Sequence, residues 1–172
     1  MQGSLWRLIR MIKINWIITD DISLIDLNEF NSEWNQIYGY FELCINNHSI
    51  GYCPNRQLLK EEEGVEDILY WLSKLTEGII CLYNNEAYEI QLLSMNLAKI
   101  ILKKNDKLAI SFANVDTNKV IWCEEIDIQE FYNEIMNNIK DFILEIQKYN
   151  ATLMESNLIK HLLKSKEILE KI

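Results

Sequence analysis

The chain reads as one α+β domain, an antiparallel sheet of about six to eight strands carrying an inserted helix and a C-terminal helical hairpin. Three observations predict this. Residues 41–53 alternate apolar and polar types around Asn46-Asn47-His48-Ser49, the pattern of a β-hairpin. Residues 79–126 are short β-rich runs punctuated by Asn/Asp pairs, as in a meander. From residue 127 onward apolar positions recur at steps of three and four, as on one face of a helix.

In order along the chain, Met11 opens "MIKINWII" like a natural start, and residues 1–10 read as an upstream extension or a non-native addition. Residues 12–18, rich in β-branched and aromatic types, predict the first strand. Asp20 to Asn35 is polar and acidic, read as a loop with a short helical turn. The hairpin follows, and Pro54 stops it.

Val65, Ile68, Leu69, Leu72 and Leu75 then predict a helix. Gly64 is placed at its N-cap, Glu66 and Asp67 in its first turn and Gly78 at its C-cap. The expected meander strands are IICLY, AYEIQLL, LAKIILKK, KLAISFAN and KVIWCEEI, with one face apolar and the other mixed. Asp127-Ile128-Gln129-Glu130 resembles a capping box. It leads into a helix with Phe131, Ile135, Ile139, Phe142 and Ile146 on one stripe. Thr152 to Glu155 reads as a second capping box. The last helix has Leu158, Leu162, Leu169 and Ile172 inside and Lys160, Lys164 and Lys166 outside. Residues 127–172 are thus the helical part of the domain.

Charge narrows the function classes. The 172 residues hold 26 acids against 17 bases, a net charge of −9. No basic stripe offsets this, so a nucleic-acid partner is not expected. An acidic face instead speeds encounter with a basic protein. No run approaches the roughly 18 apolar residues of a membrane span, and no cleavable signal is evident, so the expected location is cytoplasmic. Cys44, Cys53, Cys81 and Cys123 form no CxxC pair and read as free thiols, with a Cys44–Cys53 disulfide across the hairpin as the less favoured alternative.

The densest acidic segment is "LLKEEEGVEDILYW", with Glu61, Glu62, Glu63, Glu66 and Asp67. Its ordinary explanation is helix-dipole complementation at about 0.3–1 kcal/mol per carboxylate. Consecutive glutamates diverge, and neither EF-hand spacing nor HExxH occurs, so no metal and no other cofactor is expected. His48 sits on a hairpin tip and His161 among lysines, which suits surface residues better than catalysts. GxSxG, GxxxxGK[ST] and GxGxxG are absent. The candidate surface for a protein partner joins Glu61, Glu62, Glu63, Glu66 and Asp67 to Glu124, Glu125 and Asp127, with neighbouring exposed aromatics as anchors. Most of Trp16, Trp34, Trp71 and Trp122 are expected in the core.

The segments "GYFELCINNHSIGYC", "EDILYWLSKL" and "WCEEIDIQEFYNEIMNNIKDFILEI", with the meander between them, resemble small bacterial immunity proteins of polymorphic-toxin and contact-dependent growth inhibition systems. The resemblance covers the layout of residues 12–150. It implies a cytoplasmic inhibitor that binds a cognate toxin C-terminal domain; the chain is further expected to be non-enzymatic and a monomer or weak homodimer. That domain is often a basic nuclease, neutralised by a protein covering its active site or docking beside it. No site residue carries over from the resemblance. The rival readings are an adaptor that dimerises through its C-terminal helices and an enzyme with an unrecognised site.

Overall fold

The computed structural model describes residues 11–55, 57, 64–85, 87–92 and 98–172. The expected extension at 1–10, Glu61, Glu62, Glu63 and the end of the AYEIQLL strand lie outside them.

The chain is α+β, with eight strands in two antiparallel sheets of four. The first sheet contains β1 (Ile12–Ile18), β2 (Tyr38–Ile45), β3 (His48–Tyr52) and the two-residue β4 (Glu66–Asp67). β2 is central: β1 pairs along its length, β3 pairs with its second half, and β4 meets it at Tyr38 and Gly39. Between β1 and β2 lie a 3₁₀ turn (Ile22–Leu24), the short α1 (Leu27–Glu29) and a π-helical turn (Phe30–Trp34). Gly51 in β3 has φ +80°, and a Cβ there would stand 2.2 Å from the Phe41 carbonyl oxygen. Only glycine fits that position.

The helix α2 (Ile68–Asn84) separates the two sheets in sequence. It starts three residues later than expected, because Asp67 rather than Gly64 caps it, and it runs through the predicted strand IICLY. Ile79 and Leu82 are buried there, and short apolar runs in a buried helix and a buried strand look alike. Gly78 lies inside the helix and is not a C-cap. A Cβ on it would stand 2.7 Å from Leu102 Cδ1, so its smallness lets α2 lie close on the second sheet.

That sheet is a meander, β5 (Ala87–Gln91), β6 (Ala98–Lys104), β7 (Leu108–Asn114) and β8 (Val120–Ile126), in spatial order β5-β6-β7-β8. Ile100, Leu102, Leu108 and Ile110 face the core. The opposite face carries Glu89, Lys103 and Cys123 towards solvent.

The helix α3 (Ile128–Tyr149) begins on the Asp127 carboxylate, which accepts from the Gln129 and Glu130 N–H groups. It buries the predicted stripe, Phe131, Ile135, Ile139, Phe142 and Ile146, plus Ile143, each at about 1.5–3 kcal/mol. The second expected capping box is instead a 3₁₀ turn, Ala151–Glu155, and Ser156 caps α4 (Asn157–Leu169) through the Ile159 N–H. Ser156 is buried, so the cap also satisfies its own hydroxyl there.

Side chains of α3 and of Asn150 at its end hold β1 and the turn that follows it. Glu134 accepts the Ile14 N–H at 2.7 Å, Asn138 accepts the Trp16 indole N–H at 3.0 Å, and Asn150 donates to the carbonyls of Ile22 and Ile25. Trp16 also packs edge-on against Phe142, with ring centroids 5.7 Å apart. One continuous apolar core joins residues from both sheets and from α2, α3 and α4. No described helix is long and apolar enough to cross a membrane.

Candidate functional site

The turn after β1 builds a concave acidic surface. Its residues, Asp20 to Glu29, carry four carboxylates and no base. Two of these acids are there for local reasons. Asp21 accepts from the Ser23 N–H at 3.2 Å and the Ser23 hydroxyl at 2.5 Å, capping the 3₁₀ turn. Asp26 caps α1, accepting from the N–H groups of Asn28 at 2.8 Å and Glu29 at 3.1 Å. Asp20 reaches across to β2 and accepts the Tyr38 N–H at 2.7 Å.

These caps fold the segment around a cavity of about 360 Å³. Asp20, Asp21, Asp26 and Glu29 line it over an apolar floor of Ile25 and Phe30, and Gln36 and Tyr38 form the far wall. The Tyr38 hydroxyl donates to the Gln36 side-chain oxygen. Among the described residues no Lys, Arg or His lines the cavity. Leu24 stands on its rim with 80% of its surface exposed. A second cleft of about 220 Å³ shares Asp20 and Asp21 and adds Glu145 and Tyr149 from α3. A concave acidic wall over an apolar floor suits a long cationic side chain, whose stem packs while its head meets carboxylates.

Of the residues predicted from sequence, Glu61, Glu62 and Glu63 lie outside the described residues, and the others are placed as follows. Glu66 is buried and accepts the Trp71 indole N–H at 3.1 Å, so it is not part of an outer face. Asp67 is the N-cap of α2 and not a first-turn acid. It accepts from the Tyr70 N–H at 3.1 Å and the Ile37 N–H at 3.4 Å. Burial pushes its carboxyl up to about 6 against the pull of the backbone N–H groups, and the nearby Asp20 adds to the rise. Glu124 accepts from the Asn46 side chain at 2.6 Å and lies 3.3 Å from His48 Nε2. Glu125 is exposed on β8 opposite Ala109. Asp127 is exposed and caps α3.

Among the described residues of the predicted patch, Asp67 and Glu124 are not brought together. Asp67 pairs with Tyr38 at one end of β2, whereas Glu124 touches the turn beyond its other end. Seven residue steps at about 3.3 Å separate those ends, roughly 23 Å. The acids that do converge are Asp20, Asp21, Asp26 and Glu29. Their sequence signal was the pair of cap patterns Asp21-x-Ser23 and Asp26-x-x-Glu29 within ten residues lacking any base.

A second polar cluster explains itself structurally. Glu77 on α2 accepts from Lys74 at 2.6 Å and from the Tyr88 hydroxyl at 2.9 Å, with His161 Nε2 at 3.7 Å. Burial pushes its carboxyl up, but these donors outweigh that and leave it below the usual range. The cluster ties α2 to β5 and α4. All four cysteines are free. Among the described residues, no group of three or more His, Cys, Asp or Glu side chains is placed to hold a metal ion.

Compared with known protein families, curated proteins and solved structures, the chain matches none.

Proposed function

We propose that this protein acts by stoichiometric docking to a cationic protein domain, as an immunity-type inhibitor of a bacterial toxin. The observation that carries the reading is the cavity bounded by Asp20, Asp21, Asp26 and Glu29, with Leu24 exposed on its rim. A lysine or arginine on the partner would enter the cavity, and an apolar patch beside it would cover Leu24. Desolvated charge-assisted contacts of this kind slow release, while the net charge of −9 hastens encounter. Inhibition would follow from covering the partner's basic active face, with no covalent chemistry on this chain.

The rival reading as an adaptor dimerising through its C-terminal helices is left with little of its expected seam. Phe131, Ile135, Ile139, Phe142 and Ile146 on α3 and Ile159, Leu162 and Leu169 on α4 are spent inside the molecule's own core, whereas Ile172, expected inside, is exposed.

The test is co-purification with the toxic C-terminal domain of a large secreted protein encoded directly upstream. A one-to-one complex whose association rate falls as salt rises is expected. Separate elution of the two proteins at low salt overturns the reading.

A further inference from the structure

We propose that Asp67 is a proton-operated regulator of the acidic cavity, its ionisation tightening the Gln36–Tyr38 wall and adding negative charge behind it. The inference rests on the docking reading of that cavity and supplies its regulation.

The geometry begins with register. Asp67 in β4 lies directly opposite Tyr38 in β2, and directly opposed residues on antiparallel strands project to the same side. Tyr38 is a wall of the cavity, so Asp67 stands next to that wall. The backbone of the wall is held from two sides by carboxylates: Asp20 accepts the Tyr38 N–H at 2.7 Å and Asp67 accepts the Ile37 N–H at 3.4 Å. The Ile68 N–H donates to the Ile37 carbonyl at 2.9 Å, so the start of α2 moves with Ile37. Among the described residues, the charged and titratable groups about Asp67 are Asp20 from the turn after β1, Tyr38 from β2 and Tyr70 from α2. Glu66, its neighbour in β4, turns to the other face and serves Trp71.

A neutral carboxyl accepts N–H donors less strongly than a carboxylate. Loss of the proton therefore shortens the long Ile37 contact and draws the wall towards β4. It also places a second anion beside Asp20, which is unfavourable until a cation arrives. Burial already holds the Asp67 proton up to about pH 6, which sets the range in which the device works. A cation seated against Asp20 offsets the repulsion and favours ionisation. By linkage, ionisation favours the cation by the same factor. Affinity for a cationic ligand rises about fivefold between about pH 5 and about pH 7, with release of up to one proton.

The experiment follows the Asp67 carboxyl carbon and the backbone amides of Ile37, Tyr38 and Tyr70 by NMR through that range, without any partner. Matching midpoints are expected for all four signals. Asp67→Asn, which keeps a competent helix cap, removes the step at Ile37 and Tyr38. Asp20→Asn keeps the step and moves it to lower pH. Flat Ile37 and Tyr38 amides, or a step that survives in Asp67→Asn, overturn the proposal. A tetra-arginine peptide is then added as a probe, read at the amides of Leu24 and Asp26. Shifts that strengthen as Asp67 ionises support the coupling, and shifts of equal strength at both ends of the range overturn it. An intact step with no peptide shift upholds the switch in the wall and removes the docking reading alone.

Discussion

The indole N–H of Trp71 donates to the carboxylate of Glu66 at 3.1 Å, with both side chains buried. An acid five residues ahead of a tryptophan thus becomes a core partner and not a surface charge. The ring of Trp71 stacks on Phe41, centroids 4.6 Å apart, so the pair locks α2 onto the first sheet. Glu66→Ala leaves the indole donor without this acceptor in an apolar setting and is expected to cost about 1–3 kcal/mol. Glu66→Gln, which keeps an acceptor, costs less. Urea unfolding of the two variants measures the difference, and equal midpoints for Glu66→Ala and wild type would show that the contact carries no weight.

Asp67 gives stability an unusual pH dependence. Its carboxyl is raised in the folded protein from the ordinary 3.8 to about 6, so the folded state binds this proton more tightly than the unfolded chain does. The resulting stabilisation is fully present below about pH 4 and is lost as pH rises through 6, an effect of up to about 3 kcal/mol. Asp67→Asn removes it. The stability gap between variant and wild type should shift in the variant's favour from acid to neutral pH. A gap that stays constant from about pH 4 to about pH 8 contradicts the shift.

Gly51→Ala is expected to destabilise the protein by about 3 kcal/mol. Its φ of +80° disfavours any L side chain, and the new Cβ would meet the Phe41 carbonyl oxygen. Neither strain can be relieved by a rotamer change, since the obstacle is backbone. Thermal melting checks this prediction, and a melting temperature unchanged from wild type would refute it.

Asp21→Asn with Asp26→Asn separates capping from charge. Asparagine caps a helix about as well as aspartate, so the melting temperature should stay within a few degrees of wild type. Two negative charges leave the cavity, and the association rate with a basic toxin domain at low salt should fall about tenfold, with a flatter salt dependence. Stopped-flow kinetics across an ionic-strength series reads both quantities. Rates equal to wild type place the docking surface elsewhere.

Much of the fold was written locally. The α3 stripe, its Asp127 cap and the β2–β3 hairpin follow from spacing and turn chemistry over a few residues. Local pattern also misled. Gly78 has the identity of a C-cap, but its role is set by Leu102 and Tyr88, which are distant in sequence. The run from Ile79 to Tyr83 has strand-like composition, and only its burial in α2 decides otherwise. The division into two sheets was not legible, because it depends on which strands pair across α2. Acid density pointed to residues 61–67, yet density does not reveal burial or concavity. Glu66 is hidden because β4 pairs with Gly39 and Trp71 covers it. The cavity at Asp20 closes only when Tyr38, eighteen residues on, supplies its amide.

The attachment of β1 to α3 has a consequence for synthesis. The Ile14 N–H and the Trp16 indole find their acceptors 120 and 122 residues later. Until the ribosome has released Glu134 and Asn138, the leading strand carries donors that only water can satisfy. The first sheet must therefore wait, partly assembled, until those residues have emerged, and closing so long a loop is a slow step. A nascent chain halted before residue 134 leaves the Ile14 N–H on the edge of β1 without its acceptor, and an exposed strand edge is a form prone to aggregate or to be captured by chaperones.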